Sequence, residues 1–442
     1  MRHLLLLLLL VFGRMLSHAQ TRTYRAYTDS LVARLQRDDF AAATRLLSPG
    51  LAEKLNAEQL AAVWEGLQLS HGTFVKSGGD SLFTHRKRPY YYRQWVFEKN
   101  TLQLEFTFSP DQRIASLQVL ADGAASSYLP APYDEPALYR EFSLPIKHDT
   151  IVLPATLTLP ANCQRCPLVV LLPDLGPQDK DHSIGPTKMF RDLAVGLAAE
   201  GIATFRFDKR TFRYGPELMA DLRLLTLETE MLEDVQMALR QLAHVAEIDT
   251  NRLHLMGLGL GGMAAGRVAR FSPWPVRSIT VVGSSPRPLP DQLFDQFLPL
   301  LAEKSGTADW QPAAKVFAAQ VALAKSSKLN NDTPADSLPL QLPGPYWKYL
   351  QQNDLVNDFW YSTAPLWLVR GARDYQSQPT DLTAWEGRLA GRGNLRTEEL
   401  PGLNHLLMPV AADTPLMEHY QLPGHVDIGF VVRLAAFILE QR

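Results

Sequence analysis

The stretch Leu253-His254-Leu255-Met256-Gly257-Leu258-Gly259-Leu260-Gly261-Gly262 constrains the fold of this chain more than any other. An apolar strand runs into a turn bounded by glycines, and a helix over Ala264–Phe271 follows directly. The turn is too sharp for side chains on either side of its centre, which is why glycine flanks it. A strand that feeds straight into a helix is half of a βαβ unit. Such units build a parallel sheet with helices on both faces.

The surrounding sequence keeps the same rhythm. Tyr139–Ile146, Ile151–Leu159, Leu168–Leu172, Ala203–Phe207, Ser278–Val282 and Leu366–Arg370 read as strands. Met189–Glu200, Leu227–Ala243, Thr380–Leu389 and Val426–Gln441 read as helices. Residues 137–442 are therefore expected to form an α/β domain with a doubly wound, mostly parallel sheet. Residues 286–361 break the alternation with helical, proline-containing sequence, as a cap over the C-terminal edge of that sheet would.

Ahead of it the pattern differs. Residues 22–70 carry apolar positions at helical spacing, among them Leu31, Leu35, Phe40, Leu60 and Trp64. Five short strands are then expected, at Phe74–Ser77, Leu82–Arg86, Tyr90–Phe97, Leu102–Phe108 and Ile114–Leu120, with Gly78-Gly79 separating the first two as a turn. That makes residues 20–120 a small α+β domain. Residues 121–136, rich in Ala, Ser, Asp and Pro, are expected to be a linker. The basic and aromatic run Arg86–Arg93 is expected to be a hairpin strand with one solvated face.

Residues 1–19 combine Arg2 and His3, a nine-residue apolar run Leu4–Phe12, and the small residues Ser17 and Ala19. This is the make-up of a signal peptide cleaved after Ala19, and predicts an exported, periplasmic or extracellular protein. The apolar run is too short to span a bilayer, and no stable membrane insertion is expected. Cys163 and Cys166 are the two cysteines. In an oxidising compartment they are expected to pair as a loop disulfide. A net charge of −2 gives no basic footprint, so nucleic acid is not an expected partner. No metal or organic cofactor is indicated.

The chemistry lies in the glycine-bounded turn. Its frame is G-x-S-x-G, a nucleophile elbow, but the central residue is Gly259. Asp374 follows the Leu366–Arg370 strand, and His405 comes 31 residues later in Pro401-Gly402-Leu403-Asn404-His405. The order elbow, acid, histidine is that of a hydrolytic triad. His405 would take a proton and Asp374 would orient the imidazole. With Phe190–Ala194, Arg206–Arg210 and Tyr346-Trp347, these motifs make residues 139–442 resemble the esterase and serine-aminopeptidase-like branch of the α/β-hydrolases. Through Arg37–Phe40, Leu60–Trp64 and Gly72, the N-terminal segment resembles uncharacterised domains fused ahead of bacterial hydrolases, with a fold like nuclear transport factor 2.

The hydrolase resemblance implies acyl-ester chemistry, with departures at two places. Gly259 brings no oxygen to attack a carbonyl. Pro173-Asp174 stands where His-Gly usually follows the strand. By position the oxyanion donors would be the Leu175 and Leu260 N–H groups, and an inward Asp174 carboxylate would oppose a developing oxyanion. Loss of a triad nucleophile costs on the order of 10⁶ in kcat. The expectation is a catalytically degenerate hydrolase that keeps a pocket for a small acyl or hydrophobic ligand. On that reading Gly259→Ser alone should raise activity by orders of magnitude. Two alternatives stay open. One is an active hydrolase that uses Ser284 or Ser285, at the end of the neighbouring strand, or water activated by His405 and Asp374. The other is a non-enzymatic binding or interaction module.

Overall fold

The structure, a computed structural model, describes residues 21–85, 88–99, 101–120, 128–148, 151–218, 225–305, 311–420 and 422–441. The expected signal peptide lies outside them. The chain divides into two compact units, one up to residue 127 and one from Tyr128 onward.

The first unit opens with helix α1 (21–35), then α2 (Phe40–Thr44), α3 (Pro49–Ala52) and α4 (Ala57–His71). Asn56 and Gln59 close a reciprocal capping box at the start of α4, which fixes where that helix begins. Four strands follow as an antiparallel meander in sequence order: β1 (Phe74–His85), β2 (Arg88–Phe97), β3 (Thr101–Phe108) and β4 (Ile114–Leu120). Trp64 of α4 packs edge-on against Trp95, and Phe74 and Phe97 complete an aromatic core.

One expectation is corrected here. Gly78-Gly79 is not a turn between two strands. β1 runs through it, with a register shift between Ser77 and Asp80. A Cβ on Gly78 would come within 2.9 Å of Gln94 Cβ, so the irregular pairing needs a residue without one. Arg93, from the basic run, turns inward. It donates to the Gly78 carbonyl and pairs with Asp29.

The second unit is an eight-stranded sheet between two layers of helices. Its strands are β5 (Tyr139–Ser143), β6 (Ala155–Pro160), β7 (Cys166–Leu172), β8 (Ala203–Phe207), β9 (Ile248–Leu258), β10 (Val276–Val282), β11 (Leu366–Gly371) and β12 (Leu395–Leu400). Their order across the sheet is β12-β11-β10-β9-β7-β8-β6-β5. β7 to β12 run parallel, while β5 and β6 are antiparallel additions at one edge. Every residue of β6, β7 and β8 is buried, as strands covered on both faces must be.

Helices α5 (Met189–Ala199), α6 (Arg210–Leu218), α7 (Glu233–Leu242), α8 (Gly259–Phe271), α12 (Pro379–Arg388) and α13 (Ile428–Leu439) flank this sheet. Within the expected cap, α9 (Leu289–Ser305), α10 (Gln311–Lys325) and α11 (Gly344–Gln352) are helical. Its last turn, Leu355–Tyr361, is pinned to α8, where Asp358 pairs with both Arg267 and Arg270. Residues 128–136, expected as the end of a linker, join the second unit. Tyr128 donates to Asp192 and Tyr133 donates to the Val426 carbonyl, so their aromatic rings anchor them. The Cys163 and Cys166 sulfurs are bonded, with Cα atoms 5.7 Å apart. Among the described residues, no helix is long and apolar enough to cross a membrane.

Candidate active site

The site forms where the C-terminal ends of β7, β9, β10 and β11 come together. β9 ends at Leu258, and α8 starts at the next residue. Gly259 holds φ +50, the left-handed conformation that an elbow demands at its tip and that glycine adopts without strain. The turn is formed, but no side chain projects from it.

The space where a side chain would stand is occupied. A Cβ on Gly259 would lie 2.0 Å from Asp174 Oδ1, 2.3 Å from its Cγ and 2.6 Å from Oδ2. Asp174 follows β7 and folds its carboxylate over the elbow. The Leu260 N–H, one of the two expected oxyanion donors, donates to Asp174 Oδ1 at 2.7 Å. The Leu175 N–H, the other, also favours the charged carboxylate. The two expected oxyanion donors therefore serve the protein's own carboxylate. Sequence left open which way Asp174 points, and the structure turns it inward.

This geometry revises the expectation for Gly259→Ser. A serine there fits only if the Asp174 carboxylate swings out of that volume, away from the Leu260 N–H and His405, so the single substitution does not by itself rebuild the site.

His405 and Asp374 meet as the chain order implied. His405 Nδ1 lies 2.8 Å from Asp374 Oδ2, and His405 Nε2 faces Asp174 Oδ2 at 3.4 Å. Asp374 is held in turn by the Ser377 hydroxyl at 2.6 Å and the Gln376 N–H at 2.7 Å. Gly283, at φ +56 just beyond β10, lets the imidazole sit flat against the strand end. A Cβ there would come within 2.6 Å of His405 Nδ1.

Burial disfavours a charged imidazole, but Asp374 and Asp174 outweigh it and raise the His405 pKa to about 10. Burial likewise opposes charge on Asp174, yet His405 and the two N–H groups hold its carboxyl below the usual range. At neutral pH the Asp174 carboxylate faces an imidazolium. A group whose folded pKa exceeds its unfolded value of about 6.5 stabilises most below that value, and loses the contribution as pH rises through the folded pKa. The window for His405 is thus about pH 6.5 to 10, with a slope of at most about 1.4 kcal/mol per pH unit. Urea unfolding of wild type and His405→Gln should show a stability difference that shrinks from pH 7 to pH 10. Parallel profiles would contradict the imidazolium.

The Arg206-Phe207-Asp208-Lys209-Arg210 segment, noted from sequence only as a family match, anchors the Asp174 loop. Lys209 Nζ donates to the Asp174 carbonyl at 2.9 Å and pairs with Glu230 at 3.0 Å. Glu230 accepts from Tyr346 and Thr211. Arg206 is buried on Asp181, Thr158 and Glu141, and Arg210 on Asp234. These residues were missed because Lys209, Glu230 and Tyr346 lie far apart in the chain and converge only in the fold.

The candidate serines are placed elsewhere. Ser285 Oγ donates to Asp381 at 2.7 Å. The buried Ser284 Oγ has no hydrogen-bond partner among the described residues, and the Ser284 carbonyl accepts from Trp385. Both ring nitrogens of His405 face carboxylates, so neither serine is coupled to the imidazole. A cavity of about 330 Å³ opens between residues 286–361 and α8, walled by Met263, Leu289, Ala324, Trp347, Leu350 and Val356. Asp174, Asp374 and His405 do not line it.

Residues 169–415 match the family model described as "Alpha/beta hydrolase family". The chain belongs to the alpha/beta hydrolase family. Within that family it is similar to esterase EstD of Thermotoga maritima, at 26% identity over 410 residues, covering 92% of this chain and 94% of the relative. That span is longer than the second unit alone. Among solved structures, Est1E from Butyrivibrio proteoclasticus is 16% identical, with a TM-score of 0.43, over 68% of this chain and 98% of its own. The Pyrococcus furiosus esterase PF2001 is 12% identical, with a TM-score of 0.41, over 69% and 91%.

Proposed function

We propose that this alpha/beta hydrolase is an exported relative of esterases that has given up serine-type acyl transfer and keeps a small-molecule pocket beneath its cap. The observation that carries the reading is the Asp174 carboxylate lying in the volume of the missing side chain at Gly259. Acyl transfer needs a nucleophile, a base with a free lone pair, and free donors for the oxyanion. Gly259 supplies no nucleophile. His405 already carries the proton it would have to accept. The Leu260 N–H is spent on Asp174. A substrate carbonyl would have to displace an intramolecular anion from its donors, against a favourable ion pair with His405.

The cap cavity supports the second half of the reading. Its walls are mostly apolar, with Arg287, Lys325 and Arg388 also among its lining, a composition suited to a small apolar ligand with a polar end. The signal-peptide make-up of residues 1–19 supports export.

The test is hydrolysis of p-nitrophenyl esters with acyl chains from acetate to octanoate, together with labelling by a fluorophosphonate. Wild type should match His405→Gln within a few-fold and take no label at Ser284 or Ser285. Turnover that exceeds His405→Gln by 10²-fold or more would overturn the reading. So would labelling that Ser285→Ala removes.

A further inference from the structure

We propose that the cavity between residues 286–361 and α8 is a receptor site for an uncharged, mostly apolar molecule with one carbonyl oxygen, such as a small ketone, and that the Trp347 Nε1–H is the donor that holds that oxygen. The proposal rests on the reading of this cavity as a small-molecule pocket, and names the class of ligand it takes.

The lining decides against a charged ligand. Its cations are Arg287, Lys325 and Arg388, and each already has a carboxylate. Lys325 Nζ lies 2.6 Å from Asp291, and Arg388 Nη2 lies 2.5 Å from Asp354. Arg287 reaches two, Asp381 at 2.8 Å and Asp295 at 2.6 Å. A ligand carboxylate would have to displace one of these aspartates. They are tethered in the same chain, which gives them a high effective concentration at the cations. A ligand cation meets the mirror problem, because the carboxylates are taken. Asp381 accepts from the Ser285 hydroxyl and the Gln378 N–H besides. Burying either charge without a partner is costly.

The uncharged polar side chains of the lining are committed too. Gln351 Nε2 donates to the Ser326 carbonyl, and its Oε1 accepts from Lys348. Asn353 Nδ2 donates to the Tyr349 carbonyl, and its Oδ1 accepts from Arg267. Trp347 differs. It walls the cavity and is 1% exposed, yet its Nε1–H has no acceptor among the described residues. Buried donors in native proteins are nearly always paired, so an open one beside a cavity marks where an acceptor belongs. An indole N–H can only donate. A carbonyl oxygen answers it without a charge, and without the extra donor that an alcohol or a primary amide would bring into apolar walls.

Met263, Leu289, Ala324, Leu350 and Val356 are left to contact the rest of the ligand. A volume of about 330 Å³ is at the small end for ligand pockets, so the ligand is compact. Asp174, Asp374 and His405 are not among the lining, so the molecule is held rather than turned over.

The experiment uses the full chain and four probes of similar shape, followed by ligand-detected NMR titration: acetophenone, ethylbenzene, benzoate and 1-phenylethylamine. Acetophenone should bind, and the anion and the cation should bind at least about tenfold more weakly. Leu350→Trp, which fills the cavity from α11, should abolish acetophenone binding, with Ala324→Met as a second filling variant. Trp347→Phe keeps an aromatic wall without the N–H. It should weaken acetophenone relative to ethylbenzene by about 3–10-fold, the worth of one net hydrogen bond. In nitrogen-labelled wild type, one indole N–H resonance should move downfield with acetophenone and not with ethylbenzene. Each variant is checked for cooperative thermal unfolding. Benzoate or 1-phenylethylamine binding as tightly as acetophenone overturns the proposal and leaves the pocket standing. So does the absence of both the indole shift and the Trp347→Phe effect. Binding that survives the filling variants overturns the placement, and binding of no probe overturns the pocket itself. The loss of acyl transfer is untouched by these outcomes and fails only if wild type hydrolyses acyl esters.

Discussion

Gly259→Ser alone should leave acyl-ester hydrolysis at the wild-type level, whereas Gly259→Ser with Asp174→Gly should raise kcat/KM by at least about 10³-fold. The difference follows from the 2.0 Å that separates a Cβ at position 259 from Asp174 Oδ1. In the single variant one of the two groups must leave. If Asp174 moves, it abandons the Leu260 N–H and its place beside His405. If the elbow moves, the serine hydroxyl is aimed elsewhere. The variant also carries a side chain at φ +50, a strain of roughly 1–3 kcal/mol. The double variant removes all three obstacles. It frees the volume, it vacates the Leu260 and Leu175 donors, and it takes away one of the two carboxylates that keep His405 protonated. Glycine at 174 also restores the residue that the family resemblance places there. The measurement is kcat/KM on p-nitrophenyl acetate for wild type, both single variants and the double, each checked for cooperative unfolding. Equal activity of Gly259→Ser and the double would show that Asp174 does not occupy the site. A folded but inert double would show that Asp374 and His405 do not form a working pair.

Lys209→Met should destabilise the second unit by about 3–5 kcal/mol, the cost of stripping one partner from a buried ion pair. Lys209 and Glu230 are 1% and 2% exposed, so water cannot replace the lost partner. Removing Lys209 leaves Glu230, among the described residues, with the Tyr346 and Thr211 hydroxyls, and deprives the Asp174 carbonyl of its donor. Lys209→Met with Glu230→Gln should recover most of the loss, because no unpaired charge remains. Urea unfolding of the three proteins measures both effects. Equal stability of wild type and Lys209→Met would place the pair in contact with solvent and remove the anchor proposed for Asp174.

Much of this was legible in the sequence, for identifiable reasons. Buried parallel strands are written as unbroken apolar runs, so β7, β8 and β10 could be placed. The elbow could be read because a sharp turn admits few residues. Asp374 and His405 came with it through their order. The direction of the Asp174 side chain was not legible. It depends on the backbone of one loop residue and on the space beside Gly259, both products of the fold. The bulge at Gly78-Gly79 is not legible, because paired glycines suit a turn equally well and only the partner strand decides. Tyr128 and Tyr133 sit in linker-like composition, and their hydrogen bonds reach residues 64 and 293 positions away. Such distant partners leave no local pattern.

The contact between position 259 and Asp174 also sets an order on the substitutions that would place a serine at the elbow. A chain carrying both residues cannot become a serine enzyme by either change alone. Serine first is met by a collision. Glycine at 174 first is permitted, since it only opens the hole and relaxes His405. The path back therefore runs through an intermediate that is inert yet folded, on which selection for ester hydrolysis has nothing to act. The aspartate works as a latch, so that a serine at the elbow becomes useful only after position 174 has been cleared.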